Sequence, residues 1–185
     1  MDIIKSERIT LREINDEDVN VLAGVLSDPI VMKYSIVGAL NKSQIIAYII
    51  KCKEDYKAKG YGNWLVYSND SKKFIGICGL NTHKVDGKDI LHINYRLCTS
   101  QQGNGYAFEA IEAVKKYSKC KLNIDTLHAL IDSDNSSSVK VAKKCGFSFV
   151  KPTSVEGFNV DLYINDSSAK YNNYFNPTAN TRAEI

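Results

Sequence analysis

Residues 101–110 read QQGNGYAFEA, with Gly103 and Gly105 one residue apart directly before a run of helical spacing. Glycine lets backbone approach a ligand with no Cβ in the way. Successive N–H groups at a helix N-terminus converge on one point, where unpaired donors and the helix dipole favour an anion. The chemistry this predicts is the cradling of a pyrophosphate. A tight turn that starts a helix is the other use of the same residues. Two phosphate fingerprints fail here. A P-loop needs Lys and then Ser or Thr after its glycine, and Tyr106 follows Gly105. A dinucleotide fingerprint needs a third glycine where Phe108 stands, and an acidic residue ending a strand about twenty positions on. Asp125 lies near that distance but precedes a strand.

The elements that must hold this loop can be read from periodicity. RITLREI (8–14) alternates Ile9, Leu11 and Glu13 with Arg8, Thr10 and Arg12, which predicts a strand. Asn15 is a helix cap, Asp16, Glu17 and Asp18 place negative charge in a first turn, and Val19, Leu22, Val25 and Leu26 form an apolar face up to Pro29. A second helix is predicted from Ser43 to Lys59, with Ile46, Ile49 and Ile50 inward and Gly60 as its stop. Strands are predicted over 63–68, 74–80 and 90–97, with turns at Asn69-Asp70 and Asp86-Gly87. A helix from Tyr106 to Lys119 carries Ala107, Ala110, Ile111 and Val114 at helical spacing. A strand (126–131), a helix (136–145) stopped by Gly146, and two strands (147–151 and 158–164) complete the order. This is a mixed α+β sheet, mostly antiparallel, with helices on both faces; it lacks the strand–helix alternation of a doubly wound fold. Residues 1–165 are expected to form a single domain, and the polar, Asn-rich stretch 166–185 a mobile tail.

Composition narrows the function classes. The chain has 185 residues, 44% hydrophobic and 24% charged, as a soluble globular protein does. Its 24 basic and 21 acidic residues give a net charge of only +3, scattered along the chain, which argues against a nucleic-acid partner. No apolar run reaches the ~20 residues of a membrane span, and MDIIKSERITLRE is not a signal peptide. Cys52, Cys78, Cys98, Cys120 and Cys145 contain no C-x-x-C pair, so neither a disulfide framework nor a metal site is expected. Reduced thiols in a cytoplasmic protein are the default.

Three segments together resemble a known family. Gln102-Gly103-Asn104-Gly105-Tyr106-Ala107 resembles the Gln/Arg-x-x-Gly-x-Gly/Ala loop of the GNAT N-acetyltransferase superfamily, which binds the pyrophosphate of acetyl-CoA. More narrowly, QGNGYAFEA is similar to the form in Rim-type acetyltransferases, which modify the N-termini of ribosomal proteins. NSSSVKVAKKCGF (135–147) is similar to that group's Asn-x-x-Ser-x-x-x-x-x-Lys-x-Gly-Phe segment, and residues 7–34 resemble its opening strand and first helix. The resemblance spans residues 7–165.

The resemblance implies a strand pair that splays to admit the thioester arm of acetyl-CoA. It places the arm along Tyr95, Arg96 and Leu97, and the pyrophosphate on the N–H groups of Gln102, Gly103, Asn104, Gly105, Tyr106 and Ala107. Asn135 then hydrogen-bonds the arm. Direct attack by a neutral amine requires a base, donors for the oxyanion and an acid. The family's Tyr acid is replaced here by Ala142, whereas Ser138 matches the Ser of Rim-type enzymes, as an acid or as a helix cap. Their Glu base is replaced by His92, in His92-Ile93-Asn94-Tyr95. Its imidazole is a competent base near neutral pH, or else a strand histidine bonded to its neighbours. His83 and His128 are further candidates, and Trp64, Tyr34 and Ser35 either wall the acceptor site or pack. Three functions follow: acetylation of a protein or peptide α-amine, acetylation of a small amine such as a polyamine or aminoglycoside, and acyl-CoA binding without turnover. A monomer or homodimer is expected.

Overall fold

Asn15 accepts a hydrogen bond from the Glu17 N–H (2.9 Å) while the Asp18 carboxylate accepts one from the Asn15 N–H (2.8 Å). This reciprocal cap opens a 3-10 turn at Asp16–Asp18, from which α1 (Val19–Leu26) continues. Asn41 and Gln44 cap α2 (Lys42–Lys59) in the same way, and Gly60 closes it in the left-handed conformation. The computed structural model describes residues 2–166; apart from Asp166, which ends the last strand, the expected tail lies outside them.

Eight strands form one sheet. They are β1 (Asp2–Lys5), β2 (Ile9–Glu13), β3 (Asn63–Ser68), β4 (Phe74–Val85), β5 (Lys88–Leu97), β6 (Thr126–Ile131), β7 (Ser148–Val155) and β8 (Phe158–Asp166). Their spatial order is β1-β2-β3-β4-β5-β6-β8-β7, antiparallel throughout except between β5 and β6. The remaining helices are α3 (Tyr106–Leu122) and α4 (Ser136–Lys144). Among the described residues no helix is long and apolar enough to cross a membrane.

Helices cover both faces, as expected. On one, α3 and α4 bury Ala110, Ile111, Val114 and Ala142 against Trp64, Val66, Cys78, Leu80, Ile93 and Leu127. On the other, α1 and α2 bury Leu22, Val25, Leu26, Ile45, Ile49 and Cys52 against Leu65 and Ile77. The inward face of α2 differs from expectation. Ile45, Ile49 and Cys52 are buried, whereas Ile46 and Ile50 are 43% and 50% exposed. The i, i+4, i+7 stripe starting at Ile45 matches the helical period, and Ile46 and Ile50 lie one residue, about 100°, round the helix. The β4–β5 hairpin is also longer than expected, extending to Val85 and from Lys88 around the Asp86-Gly87 turn.

The feature that positions the site is the junction of β5 and β6. Their parallel ladder holds one residue pair, His92 opposite His128. Beyond it β5 continues through Leu97 and β6 through Ile131 with no pairing between them. On its other side β5 is held tightly to β4. A Cβ on Gly76 would stand 2.2 Å from the Arg96 carbonyl oxygen, so only glycine admits this approach. The sheet therefore opens as a wedge, with one backbone edge of Ile93–Leu97 unpaired.

Candidate active site

At the wide end of the wedge, a 3-10 turn at Thr99–Gln101 leads into the glycine loop. Gln102 donates through Nε2 to the Leu97 carbonyl (3.2 Å), and Asn104 donates through Nδ2 to the carbonyls of Gln101 (3.3 Å) and Gln102 (3.2 Å). Gly103 and Gly105 have φ of +77° and +79°, a region that residues with a Cβ enter at a cost. Gly105 is the N-cap of α3 and has no side chain to cap the helix. The first-turn N–H groups thus open on an exposed loop, a fit for an anion such as a pyrophosphate.

Arg8, in the turn between β1 and β2, supports this loop. Its Nε donates to the Glu109 carboxylate (2.7 Å) and its Nη1 to the Asn104 carbonyl (3.1 Å). The guanidinium lies 4.9 Å from the Tyr106 ring centroid. Glu109 also accepts from the Ser6 hydroxyl (2.6 Å) and the Arg8 N–H (2.8 Å). Burial pushes the Glu109 carboxyl up, but these hydrogen bonds and the charge of Arg8 outweigh it and hold the group below its ordinary range. Glu109 therefore remains ionised and grips Arg8 instead of capping its own helix. The sequence reading did not single out Arg8, Ser6 or Glu109, because they lie about a hundred positions apart and carry no local spacing signal.

Along β5 the side chains alternate between two environments. Ile93, Tyr95 and Leu97 face α3 and α4. Tyr95 donates from its hydroxyl to the Ser138 carbonyl (3.0 Å), tying β5 to the first turn of α4. Burial pushes the Tyr95 phenol up to about 12. Asn135 caps α4, its Oδ1 accepting from the Ser138 N–H (3.1 Å). Its Nδ2 has no partner among the described residues, so cap and ligand donor are compatible uses of one side chain. Ser138 is half-buried at the same helix start.

His92, Asn94 and Arg96 share the opposite face, since they pair across β4 with Asn81, Gly79 and Ile77. Asn94 donates through Nδ2 to Asn63 Oδ1 (2.7 Å) and to the Gly79 carbonyl (3.3 Å), and Asn63 donates on to Asn81 Oδ1 (3.3 Å). Among the described residues, three buried side-chain polar atoms lack a hydrogen-bond partner: Tyr48 Oη, His92 Nε2 and Asn94 Oδ1. Two of these lie on this face of β5, and Tyr48 belongs to α2, which packs over it. Unpaired buried polar atoms are rare and mark a place where a ligand or water is accommodated.

The three histidines of the chain converge here. His92 is buried at the bridge with His128, its ring 5.0 Å from that of His83. Burial first, then the proximity of His83, lowers its pKa to about 3, so the imidazole is neutral. His83 Nδ1 lies 3.7 Å from a Glu156 carboxylate oxygen, and His128 Nδ1 lies 3.1 Å from the Leu91 carbonyl. Ser35, in the α1–α2 connection, accepts from Arg96 Nη2 (3.3 Å). Trp64, by contrast, is buried on the α3 face edge-on to Tyr117, where it packs and walls nothing.

The profile of the family described as "Acetyltransferase (GNAT) domain" matches residues 8–148. The protein YkkB of Bacillus subtilis (strain 168) is 31% identical over 147 residues, which cover 79% of this chain and 85% of that one. Among solved structures, a RimL ribosomal-protein α-N-acetyltransferase in complex with coenzyme A superposes with a TM-score of 0.74 at 19% identity, covering 90% of this chain and 98% of its own. The microcin C7 self-immunity acetyltransferase MccE, in complex with acetyl-CoA and AMP, does so with a TM-score of 0.70 at 19% identity, covering 87% and 93%. The extent of the family match, joined to a splayed parallel strand pair that runs into a glycine loop and an uncapped helix start, leads to one conclusion: the chain belongs to the GNAT acetyltransferase family.

Proposed function

We propose that this acetyl-CoA-dependent acetyltransferase modifies the α-amine of a peptide or protein N-terminus within a ternary complex. The observation that carries the reading is the wedge itself. Its wide end meets an uncapped helix N-terminus, and partnerless polar atoms face the α1–α2 side along the same strand. Acetyl-CoA supplies an activated thioester acyl group. The N–H groups from Gly103 to Ala107 receive its pyrophosphate, the expected donor of Gln102 being turned to the Thr99 carbonyl (3.3 Å), and Gly103 and Gly105 keep the approach clear. The free backbone edge at Tyr95, Arg96 and Leu97 offers amide partners to the arm, and Asn135 Nδ2 offers a donor from α4. The RimL neighbour, named as acting on a ribosomal protein, supports the same acceptor class.

His92 presents its partnerless Nε2 to the incoming amine. As a neutral imidazole it accepts a hydrogen bond from the uncharged amine and orients it. Burial makes it a weaker base than a free imidazole, so the proton it takes as the new N–C bond forms passes on to solvent and is not held. As the C–S bond breaks, the Ser138 hydroxyl gives a proton to the departing sulfur and regains one from solvent, so that the amine's lost proton balances the thiol's gained one. Among the described residues the groups beside His92 are histidines, asparagines and Arg96, with Glu156 beside His83 a single carboxylate, so a polyamine's several cations find little matching charge there.

The test is acetyl transfer from acetyl-CoA to N-terminal peptides, spermidine and an aminoglycoside, followed by coenzyme A release and by mass spectrometry of the acceptor. Acetylation of peptide α-amines well above background is expected. Transfer to the polyamine or aminoglycoside alone would contradict the reading.

A further inference from the structure

Among the described residues Arg96 is a cation with no ion-pair partner. It sits mid-sheet on β5, half-buried, and its side chain makes one hydrogen bond, from Nη2 to the neutral Ser35 hydroxyl at 3.3 Å. No ion pair among the described residues includes it. Of the nearby carboxylates, Asp18 pairs with Arg12 (2.6 Å) and Asp55 with Lys59 (2.7 Å), while Asp28 accepts from the Thr99 hydroxyl (3.2 Å) and the Ile30 N–H (2.8 Å). Burial lowers the Arg96 pKa from its ordinary value, as for a desolvated, uncompensated charge. A guanidinium has five donors in a planar fork that matches an oxyanion, and leaving it desolvated with one neutral acceptor is unfavourable.

The surroundings point the same way. Tyr48, whose buried hydroxyl meets only the Cys52 thiol and no oxygen or nitrogen partner among the described residues, lies within electrostatic reach of Arg96. Two residues along, Asn94 carries the partnerless Oδ1, and two further on His92 carries the partnerless Nε2. These groups form a stripe on one sheet face beneath the α1–α2 connection, with a cation at one end and a hydrogen-bond acceptor for an amine at the other. At roughly 3.3 Å per residue the stripe from His92 to Arg96 spans about 13 Å, the reach of a short peptide segment.

We infer that Arg96 is a specificity residue of the acceptor site, selecting peptides whose second or third residue carries an oxyanion, a carboxylate or a phosphate. The inference rests on the peptide acceptor proposed above. With the α-amine at His92, Asn94 Oδ1 accepts from the peptide backbone, and the anionic side chain takes the donors of Arg96 and the Tyr48 hydroxyl. A lysine at the same position meets like charge.

Four acceptor peptides, identical except for Asp, phosphoserine, Asn or Lys at the second residue, test this, with a matching set varied at the third. Two readouts are used: kcat and KM for acetylation, and calorimetric binding of the pre-acetylated peptides. At the favoured position, Asp or phosphoserine is expected to lower KM by about tenfold relative to Asn, with Lys worse than Asn and kcat little changed. Which of the two anions is preferred separates carboxylate from phosphate recognition. Arg96→Met is expected to bring the Asp-to-Asn ratio of kcat/KM towards one, and Arg96→Lys to keep part of it. Equal acetylation of the Asp, Asn and Lys peptides by the unmodified protein overturns the inference and leaves the peptide acceptor standing, whether or not Arg96→Met folds. A ratio that survives Arg96→Met also overturns it. Acetylation of none of them, with acetyl-CoA bound, overturns both.

Discussion

Arg8 and Glu109 meet at the first turn of α3, Nε to carboxylate at 2.7 Å, and through this contact the β1–β2 turn braces the glycine loop. The same guanidinium bonds the Asn104 carbonyl and stands 3.4 Å from where a Gly105 Cβ would be. Arg8→Ala removes the brace and a positive charge beside the loop proposed to hold the pyrophosphate. Acetyl-CoA affinity is expected to fall about tenfold, and the protein to lose about 1 kcal/mol of stability, since the pair is partly exposed. Calorimetry and urea denaturation read the two effects, and unchanged affinity would show that the loop holds itself.

Tyr95 tethers α4 through the Ser138 carbonyl. Tyr95→Phe keeps the packing and deletes that bond, at a cost of about 1 kcal/mol. With the helix start loosened, KM for acetyl-CoA is expected to rise several-fold while kcat changes little. A collapse of kcat at constant KM would give the phenol, and not Ser138, the proton-donating role.

His92 links the site to pH-dependent stability. Its pKa of about 3 lies below that of an unfolded histidine, so below pH 6.5 the unfolded chain binds a proton that the folded chain does not. Stability from this group is therefore complete above about pH 6.5 and declines as the pH falls towards 3. Between pH 6.5 and 5 the decline is about 2 kcal/mol. His92→Gln is expected to flatten that part of the profile in denaturation experiments at stepped pH. Parallel profiles for the two proteins would place the imidazole in water.

How much of this could be read from residues alone varied by feature. The glycine loop and the helix start at Tyr106 were legible, because Gly103, Gly105 and the following helix are contiguous and their backbone demands are local. The strand at 90–97, the Asn15 cap and the strand at Thr126–Ile131 were legible for the same reason. Strand β1 was not, as DIIK is too short to show a period. The extension of β4 was hidden by Asn81, Thr82, His83 and Lys84, polar residues held in a strand by pairing with β5 rather than by burial. The inward face of α2 was misjudged, because Ile45, Ile46, Ile49 and Ile50 offer two adjacent apolar stripes and only the packing of α1 selects one. Arg8 with Glu109, and the isolation of Arg96, are long-range relationships that no spacing encodes.

The measurement that bears most directly on the central claim is calorimetric titration of acetyl-CoA into the unmodified protein and into Gly105→Asp, with thermal unfolding as a check that the variant folds. In the unmodified protein, acetyl-CoA at 100 times its dissociation constant is expected to stabilise the fold by about 2.7 kcal/mol, with ATP and NAD giving no comparable shift. Gly105→Asp, which sets a carboxylate in the anion site, is expected to remove binding while the protein remains folded. Equal affinity for acetyl-CoA in the two proteins would contradict the placement of the pyrophosphate on the Gln102–Ala107 loop.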